Sequence, residues 1–147
     1  DILDNTNVHN FYTTDHGKTS FCLLTESAKT VNLPDNVGTT DIGTQITIIQ
    51  QANLVGGGLL TINANTNNTF ALNSYYSGMN GGTRSTPTRI DTVYDNRITI
   101  TGNVGGNSAW GTGSVAVFTC VAANKWHFVM RAESMGTGSD AVEYHTA

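Results

Sequence analysis

Charge is scarce in this chain: only 12% of its 147 residues are Asp, Glu, Lys or Arg, and the formal net charge is −4. Without a basic face to neutralise phosphates, the composition gives no reason to expect a nucleic-acid partner. No apolar run reaches the ~18 residues of a membrane-spanning helix, so no membrane insertion is expected. Sustained helical spacing of apolar residues is also missing, which favours a fold without long helices.

Cysteine and proline each occur only twice. Cys22 and Cys120 fall within apolar runs, where a free thiol packs as a small hydrophobic side chain. A disulfide between them would need an oxidising environment and matching geometry, so the sequence leaves both states open. The chain begins with Asp1 and shows no signal peptide. Either a leader was removed or the numbering begins inside a longer chain.

Uncharged polar residues take the place of the missing charges, and Asn, Thr, Ser and Gly dominate the composition. Thr suits strands, whereas Asn and Gly suit turns. Short apolar runs recur at intervals of about ten residues, separated by turn residues, as in all-β domains. We predict an all-β fold: a single-domain antiparallel β-sandwich or β-barrel, jelly-roll or tulip-like, with long loops and flexible termini.

The clearest pattern runs from Ser114 to Ala132 and predicts two strands folded back on each other. Successive residues alternate between two faces, as a pleated strand requires. Asn124 lies between the strands and tolerates the left-handed backbone of a tight turn. Large apolar residues on both faces of the first strand predict a central position in a sheet. The four sets of side chains are Val115, Val117, Thr119 and Val121; Ala116, Phe118 and Cys120; Trp126, Phe128 and Met130; and His127, Val129 and Arg131.

The organisation of the chain is predicted as one β domain over residues 1–147. Residues 1–10 are polar and predict an N-terminal arm, and residues 11–132 predict the β core. Within the core, residues 73–88 lose regular patterning and predict a long loop insertion. Residues 133–147 predict a Gly/Ser-rich C-terminal tail, in which Val142 and Tyr144 suit a last strand. No internal repeat is expected.

Motifs that would indicate catalysis or metal binding are weak. Gly17-Lys18-Thr19 imitates the end of a phosphate-binding loop, but Tyr12 stands where that loop needs its first Gly. No pair among the four histidines has the spacing of a zinc site. No Gly-x-Ser-x-Gly elbow precedes a helix. We therefore expect no catalytic residues, no metal and no cofactor, and hence no enzyme.

Aromatic and arginine residues suggest partner-binding positions instead. Tyr75, Tyr76, Arg84 and Arg89 lie in or beside the predicted insertion, and long irregular loops often carry function. Such residues stack on sugars or anchor protein interfaces. Trp110, in a glycine-rich loop, is a further candidate. The alternative for all five is packing over the end of their own domain.

The order of several short motifs resembles a small all-β module of tailed-bacteriophage surface proteins, found in capsid decoration proteins and tail-fibre segments. The resemblance covers most of the chain between Asp15 and Val129. The matching motifs are Asp15-x-Gly17-Lys18-Thr19, Thr30-Val31-x-Leu33-Pro34, Gly43-Thr44-Gln45-Ile46-Thr47-Ile48-Ile49-Gln50-Gln51, Leu60-Thr61-Ile62 and the hairpin from Gly113 to Val129 with its Asn124-Lys125-Trp126 turn.

The resemblance implies a virion protein on the capsid exterior, usually a homotrimer, and carries no catalytic residues over. The first hypothesis is a capsid decoration, or cement, protein that binds and stabilises the shell of the major capsid protein. The arm and the tail could then each add a strand to a neighbour. The alternative is a receptor-binding head or segment of a tail fibre or spike, which recognises a host glycan. A third hypothesis is a secreted carbohydrate-active enzyme.

Overall fold

The computed structural model describes residues 2–3, 8–22, 28–52, 54, 58–80, 83–84, 88–101, 110–133 and 142–146. Within these ranges the chain is all-β, and no described helix is long and apolar enough to span a membrane. The strands are Ile2–Leu3 (β1), Val8–Asn10 (β2), Thr19–Cys22 (β3), Ala28–Asn32 (β4), Gln45–Gln50 (β5), Leu59–Asn63 (β6), Thr69–Phe70 (β7), Tyr75–Asn80 (β8), Thr83–Arg84 (β9), Thr88–Arg89 (β10), Arg97–Thr101 (β11), Val115–Ala122 (β12), Lys125–Ala132 (β13) and Val142–His145 (β14).

Two sheets pack as a sandwich, which confirms the predicted architecture, and they do not close into a barrel. The larger sheet has the order β1-β3-β5-β12-β13-β8-β10, with β7 beside β13 and β9 beside β8. The smaller sheet has the order β14-β11-β6-β4-β2. Their inner faces supply the buried core, and strands β3–β6 and β11–β13 bury nearly every second side chain.

The predicted central hairpin is confirmed. Strands β12 and β13 pair antiparallel in the middle of the larger sheet, with Phe118 opposite Phe128 and Cys120 opposite Trp126. These inner-face residues are buried, while the alternate residues remain partly exposed. Asn124 closes the turn with a φ of 57°, in the left-handed region that Asn tolerates.

The sheets are mixed, which corrects the prediction of a purely antiparallel sandwich. The first six strands alternate between the sheets, so β1, β3 and β5 run parallel in the larger sheet. Strands β2, β4 and β6 run parallel in the smaller one. Each parallel crossover passes through the opposite sheet, which replaces the helix of a βαβ unit.

An internal repeat accompanies these crossovers, so the expectation of no repeat is wrong. Thr13–Gly17 and Thr39–Gly43 both read Thr-Thr-Asp-x-Gly, and each forms a single 3₁₀ turn before a strand. The carboxylate of Asp15 accepts the backbone N–H of Tyr12 at 2.8 Å, and that of Asp41 accepts the N–H of Gly38 at 2.8 Å. The glycines have φ of 75° and 94°, conformations that favour glycine.

Three predicted irregular segments contain strands. The insertion at residues 73–88 holds β8, which pairs parallel with β13, and β10, which pairs with β8. The N-terminal arm supplies β1 and β2, and the C-terminal tail supplies β14 beside β11. All of these strands pair within their own chain. Strands β1, β2 and β14 are therefore already paired, and they are not free to add a strand to a neighbouring molecule.

An aromatic cluster joins the sheets at the centre of the core. The ring of Phe128 lies 5.0 Å from Phe70 in an edge-to-face arrangement and 6.0 Å from Phe118. Tyr144, from the smaller sheet, approaches Phe128 at 5.9 Å. Burial raises the pKa of the Tyr144 hydroxyl far above its usual range. Phe128 thus packs against two rings of its own sheet and one ring of the smaller sheet.

Both cysteines are free and buried, which decides between the two states left open. Burial raises the pKa of the Cys120 thiol, and the Asp41 carboxylate raises it further, so little thiolate forms at neutral pH. We expect a thiol-specific chromogenic reagent to label native protein very slowly and to find two thiols after denaturation without reductant. Rapid labelling of native protein, or fewer than two thiols after denaturation, would contradict this placement.

Candidate functional site

The outer face of the larger sheet carries an apolar band across its central strands. The strand register places Val117 beside both Thr47 and Val129, and Val129 beside Tyr75. Directly paired residues point to the same face of a sheet. We call six partly exposed side chains the outer band: Phe21, Ile49, Tyr75, Val115, Val117 and Val129.

Uncharged threonines extend the outer band on both sides, and no helix or second layer is described over it. Thr19 and Thr47 pair across β3 and β5, and Thr119 lies beside His127. Monomeric proteins rarely expose a contiguous apolar patch of more than a few hundred Å² unless it binds something. A partly exposed apolar and aromatic surface of this kind suits contact with another protein.

Positive charge surrounds the outer band. Arg89, Lys125 and Arg131 lie on the same face, and the exposed Glu133 follows two residues after Arg131 at the end of β13. The guanidinium of Arg89 lies 5.5 Å from the centre of the Tyr75 ring, within the range of a cation–π contact. The whole chain has a net charge of −4, and three of its seven Lys and Arg residues lie on this face. An acidic surface would complement this face.

Of the five side chains predicted to bind a partner, the structure brings Tyr75 and Arg89 together on an accessible surface. Tyr76 points to the inner face and is 2% exposed. Trp110 is 0% exposed, and its indole Nε1–H donates to Oε1 of Gln50 at 3.1 Å. These two residues therefore contribute to the core rather than to a free surface. The side chain of Arg84 lies outside the described residues.

A groove lies along one edge of the smaller sheet, on the opposite side of the sandwich. The amide of Asn32 donates to Oδ1 of Asn10 at 2.8 Å, and the amide of Asn63 donates to Oδ1 of Asn32 at 2.8 Å. This asparagine ladder joins the ends of β2, β4 and β6. The Asn groove, as we name it, has a volume of about 350 Å³, and its lining includes Asn10, Tyr12, Asn32, Pro34, Asp35 and Asn65.

A smaller cleft of about 140 Å³ continues the Asn groove, because Asn65 lines both. Its lining also includes Asn63, Asn96 and Arg97, so the ladder runs from one cleft into the other. The Nε atom of Arg97 is buried and makes no hydrogen bond within the described part of the chain. A bound polar group could supply this missing acceptor.

A third cleft, between the two Thr-Thr-Asp turns, is open and lined mainly by hydroxyl groups. Its titratable side chains already hold the backbone: Asp41 caps its own turn, and Nδ1 of His16 accepts the N–H of Gln45 at 2.9 Å. No group of three or more His, Cys, Asp or Glu residues could hold a metal ion within the described ranges. The titratable side chains of this cleft therefore stabilise its turns, and we do not propose it as a binding or catalytic site.

The sequence interpretation missed the Asn groove, although a signal was present. Thr30-Val31-Asn32 and Thr61-Ile62-Asn63 share the pattern Thr-x-Asn and lie directly opposite each other in β4 and β6. The same Thr-x-Asn triplet at the ends of two strands indicates that the two strands lie side by side with matching side chains. Only the parallel register shows that Asn10 joins them.

Comparison with protein-family models, with curated proteins and with solved structures finds no match. Function must therefore be inferred from the outer band, its basic surroundings and the Asn groove.

Proposed function

We propose that this protein is a non-catalytic virion surface protein, a phage capsid decoration protein that binds the shell of the major capsid protein through the outer band. The observation that carries the proposal is the apolar band on the central strands of the larger sheet. The order of motifs between Asp15 and Val129 supports the choice of a phage virion. Binding to the assembled shell stabilises it by mass action.

The rigidity of the central strands supports this role. Strands β12 and β13 are flanked on both sides by other strands, so the outer band does not need to become ordered when it binds. A preorganised surface loses little conformational entropy on association. A stable interface buries about 800 Å² on each partner, an area that several adjacent strands can supply. A homotrimer would repeat the face three times over a capsid axis.

A single charge in the outer band is expected to prevent binding to the shell. Val117→Glu places a carboxylate at the middle of the band, where association would bury it unpaired, and we expect capsid affinity to fall at least about a hundredfold. The measurement is co-sedimentation of purified protein with empty capsids. Val93→Glu is the matched control, because Val93 is exposed in the turn before β11.

Two results of this experiment would contradict the proposal. Equal binding by wild type, Val117→Glu and Val93→Glu would show that the outer band is not the attachment surface. Failure of the wild-type protein to bind empty capsids would reject the decoration role itself. Circular dichroism and thermal unfolding of each variant establish that any lost binding does not reflect a lost fold.

The second candidate, a receptor-binding segment of a tail fibre or spike, is favoured by one specific observation, the Asn groove. Copy number separates the two candidates, because decoration proteins number in the hundreds per particle and fibre proteins in the tens at most. Replacing Tyr75 and Tyr76 together would not test the receptor role cleanly, since Tyr76 is buried and its replacement would disturb the core. Residues of the Asn groove provide a cleaner test.

A further inference from the structure

Among the described residues, the asparagine ladder has hydrogen-bonding capacity that the fold does not use. Each side-chain amide has two N–H donors and an oxygen with two lone pairs. Asn32 uses one donor on Asn10 and one lone pair on Asn63, and both bonds run along the ladder. The remaining donors and acceptors of its partly exposed side chain can point into the Asn groove. Alternating donors and acceptors match the hydroxyl groups of a sugar.

An aromatic ring stands beside the ladder. Tyr12 is 64% exposed and lines the Asn groove together with Pro34. The backbone of Tyr12 is fixed, because its N–H donates to the carboxylate of Asp15 and its carbonyl accepts the Asp15 N–H at 2.9 Å. A large ring on a fixed backbone can cover the apolar face of a ligand while its polar edge stays in water.

The charge and size of the Asn groove restrict the class of ligand. Among its described lining residues and those of the adjoining cleft, the charged groups are Asp35 and Arg97, which balance each other. The Asp35 carboxylate is also held by the N–H of Asn36 at 2.9 Å. A volume of about 350 Å³ is within the range of small-molecule sites. A neutral, hydroxyl-rich ligand fits better than a phosphate or a nucleic acid.

We propose that the Asn groove is a binding site for a neutral oligosaccharide, with the sugar ring on Tyr12 and its hydroxyl groups on the asparagine ladder. The site lies on the smaller sheet and the outer band on the larger sheet, so the proposal does not depend on the proposed attachment to the capsid. A protein with both surfaces would attach to a particle with one and bind a glycan with the other.

The test uses a printed array of neutral and anionic oligosaccharides, followed by NMR titration of the neutral ones retained. We expect retention of at least one neutral oligosaccharide, with a Kd on the order of 0.1–1 mM. Backbone amide shifts should concentrate at Asn10, Asn32 and Asn63. Tyr12→Ala should weaken binding about tenfold, because it removes the stacking ring. Tyr12→Trp should retain binding.

Tyr94→Ala is the matched control, since Tyr94 is 68% exposed in the turn before β11 and lines neither cleft. No retention of any neutral oligosaccharide, or retention of anionic ones alone, overturns the proposal. So does equal weakening by Tyr12→Ala and Tyr94→Ala. Capsid binding separates this site from the proposed function: Tyr12→Ala should bind capsids like wild type, and Val117→Glu should bind the oligosaccharide like wild type.

Discussion

Replacing Phe128 by alanine is expected to lower the free energy of unfolding by about 3–5 kcal/mol, the usual cost of removing a buried aromatic ring. Phe128 is fully buried and contacts aromatic rings from both sheets, at 5.0 Å to Phe70 and 5.9 Å to Tyr144. The surrounding β12 and β13 strands are held by neighbours on both sides, so the cavity cannot collapse easily. Urea denaturation followed by circular dichroism measures the change.

Val129→Ala is the control, because Val129 is the next residue of β13 and points to the partly exposed outer face. Its truncation should cost about 1 kcal/mol or less. The difference between adjacent positions tests the two-residue alternation directly. Equal losses at Phe128 and Val129 would mean that both faces of β13 are buried to the same extent, against the described burial.

The central hairpin shows how much of this fold can be predicted from the sequence. Its two-residue alternation, apolar content and Asn124 turn are local properties, so they appear in the chain without knowledge of its partners. The same local reasoning assigned the all-β class. The central position of the hairpin was predicted from the large apolar residues on both faces of its first strand, and the structure confirms it although the outer face stays partly exposed.

Strand direction could not be predicted in this way. A strand has the same alternation whether its neighbour runs parallel or antiparallel, and the crossover between the sheets is a long-range choice. Strand β4 illustrates a second difficulty, because it begins at Ala28 and includes a buried lysine. Its Lys29 is 1% exposed and lies on the inner face opposite Leu60. A hydropathy pattern excludes lysine from such a position.

The candidate sites also differ in how much of each could be predicted, because some depend on local sequence and others on long-range strand pairing. Tyr75 and Arg89 were two of the five candidates near one another in sequence, and they form a cation–π contact. The asparagine ladder is assembled from three strands far apart in sequence, so only its Thr-x-Asn pattern was visible beforehand. Trp110 has glycine-rich neighbours that indicate a loop, but such neighbours do not indicate whether the loop's aromatic residue turns inwards.

Trp110→Ala is expected to destabilise the protein by about 3–5 kcal/mol, comparable to the loss at Phe128, because the fully buried indole would leave a cavity. The change also removes the N–H donor at 3.1 Å from the buried Oε1 of Gln50. Trp110→Phe separates the two effects, since it keeps most of the ring and loses the donor. We expect Trp110→Phe to cost about 1–3 kcal/mol.

Capsid binding by Trp110→Phe then distinguishes a core residue from an interface anchor. If the indole packs only inside the domain, the folded fraction of Trp110→Phe should bind empty capsids with wild-type affinity, measured below its unfolding transition. A variant with wild-type stability and lost binding would instead restore Trp110 to the partner-binding role that its sequence context suggested. Because the outer band is on the opposite face of the larger sheet from the buried core, Val117→Glu and Trp110→Phe should change different properties: the first binding, the second stability.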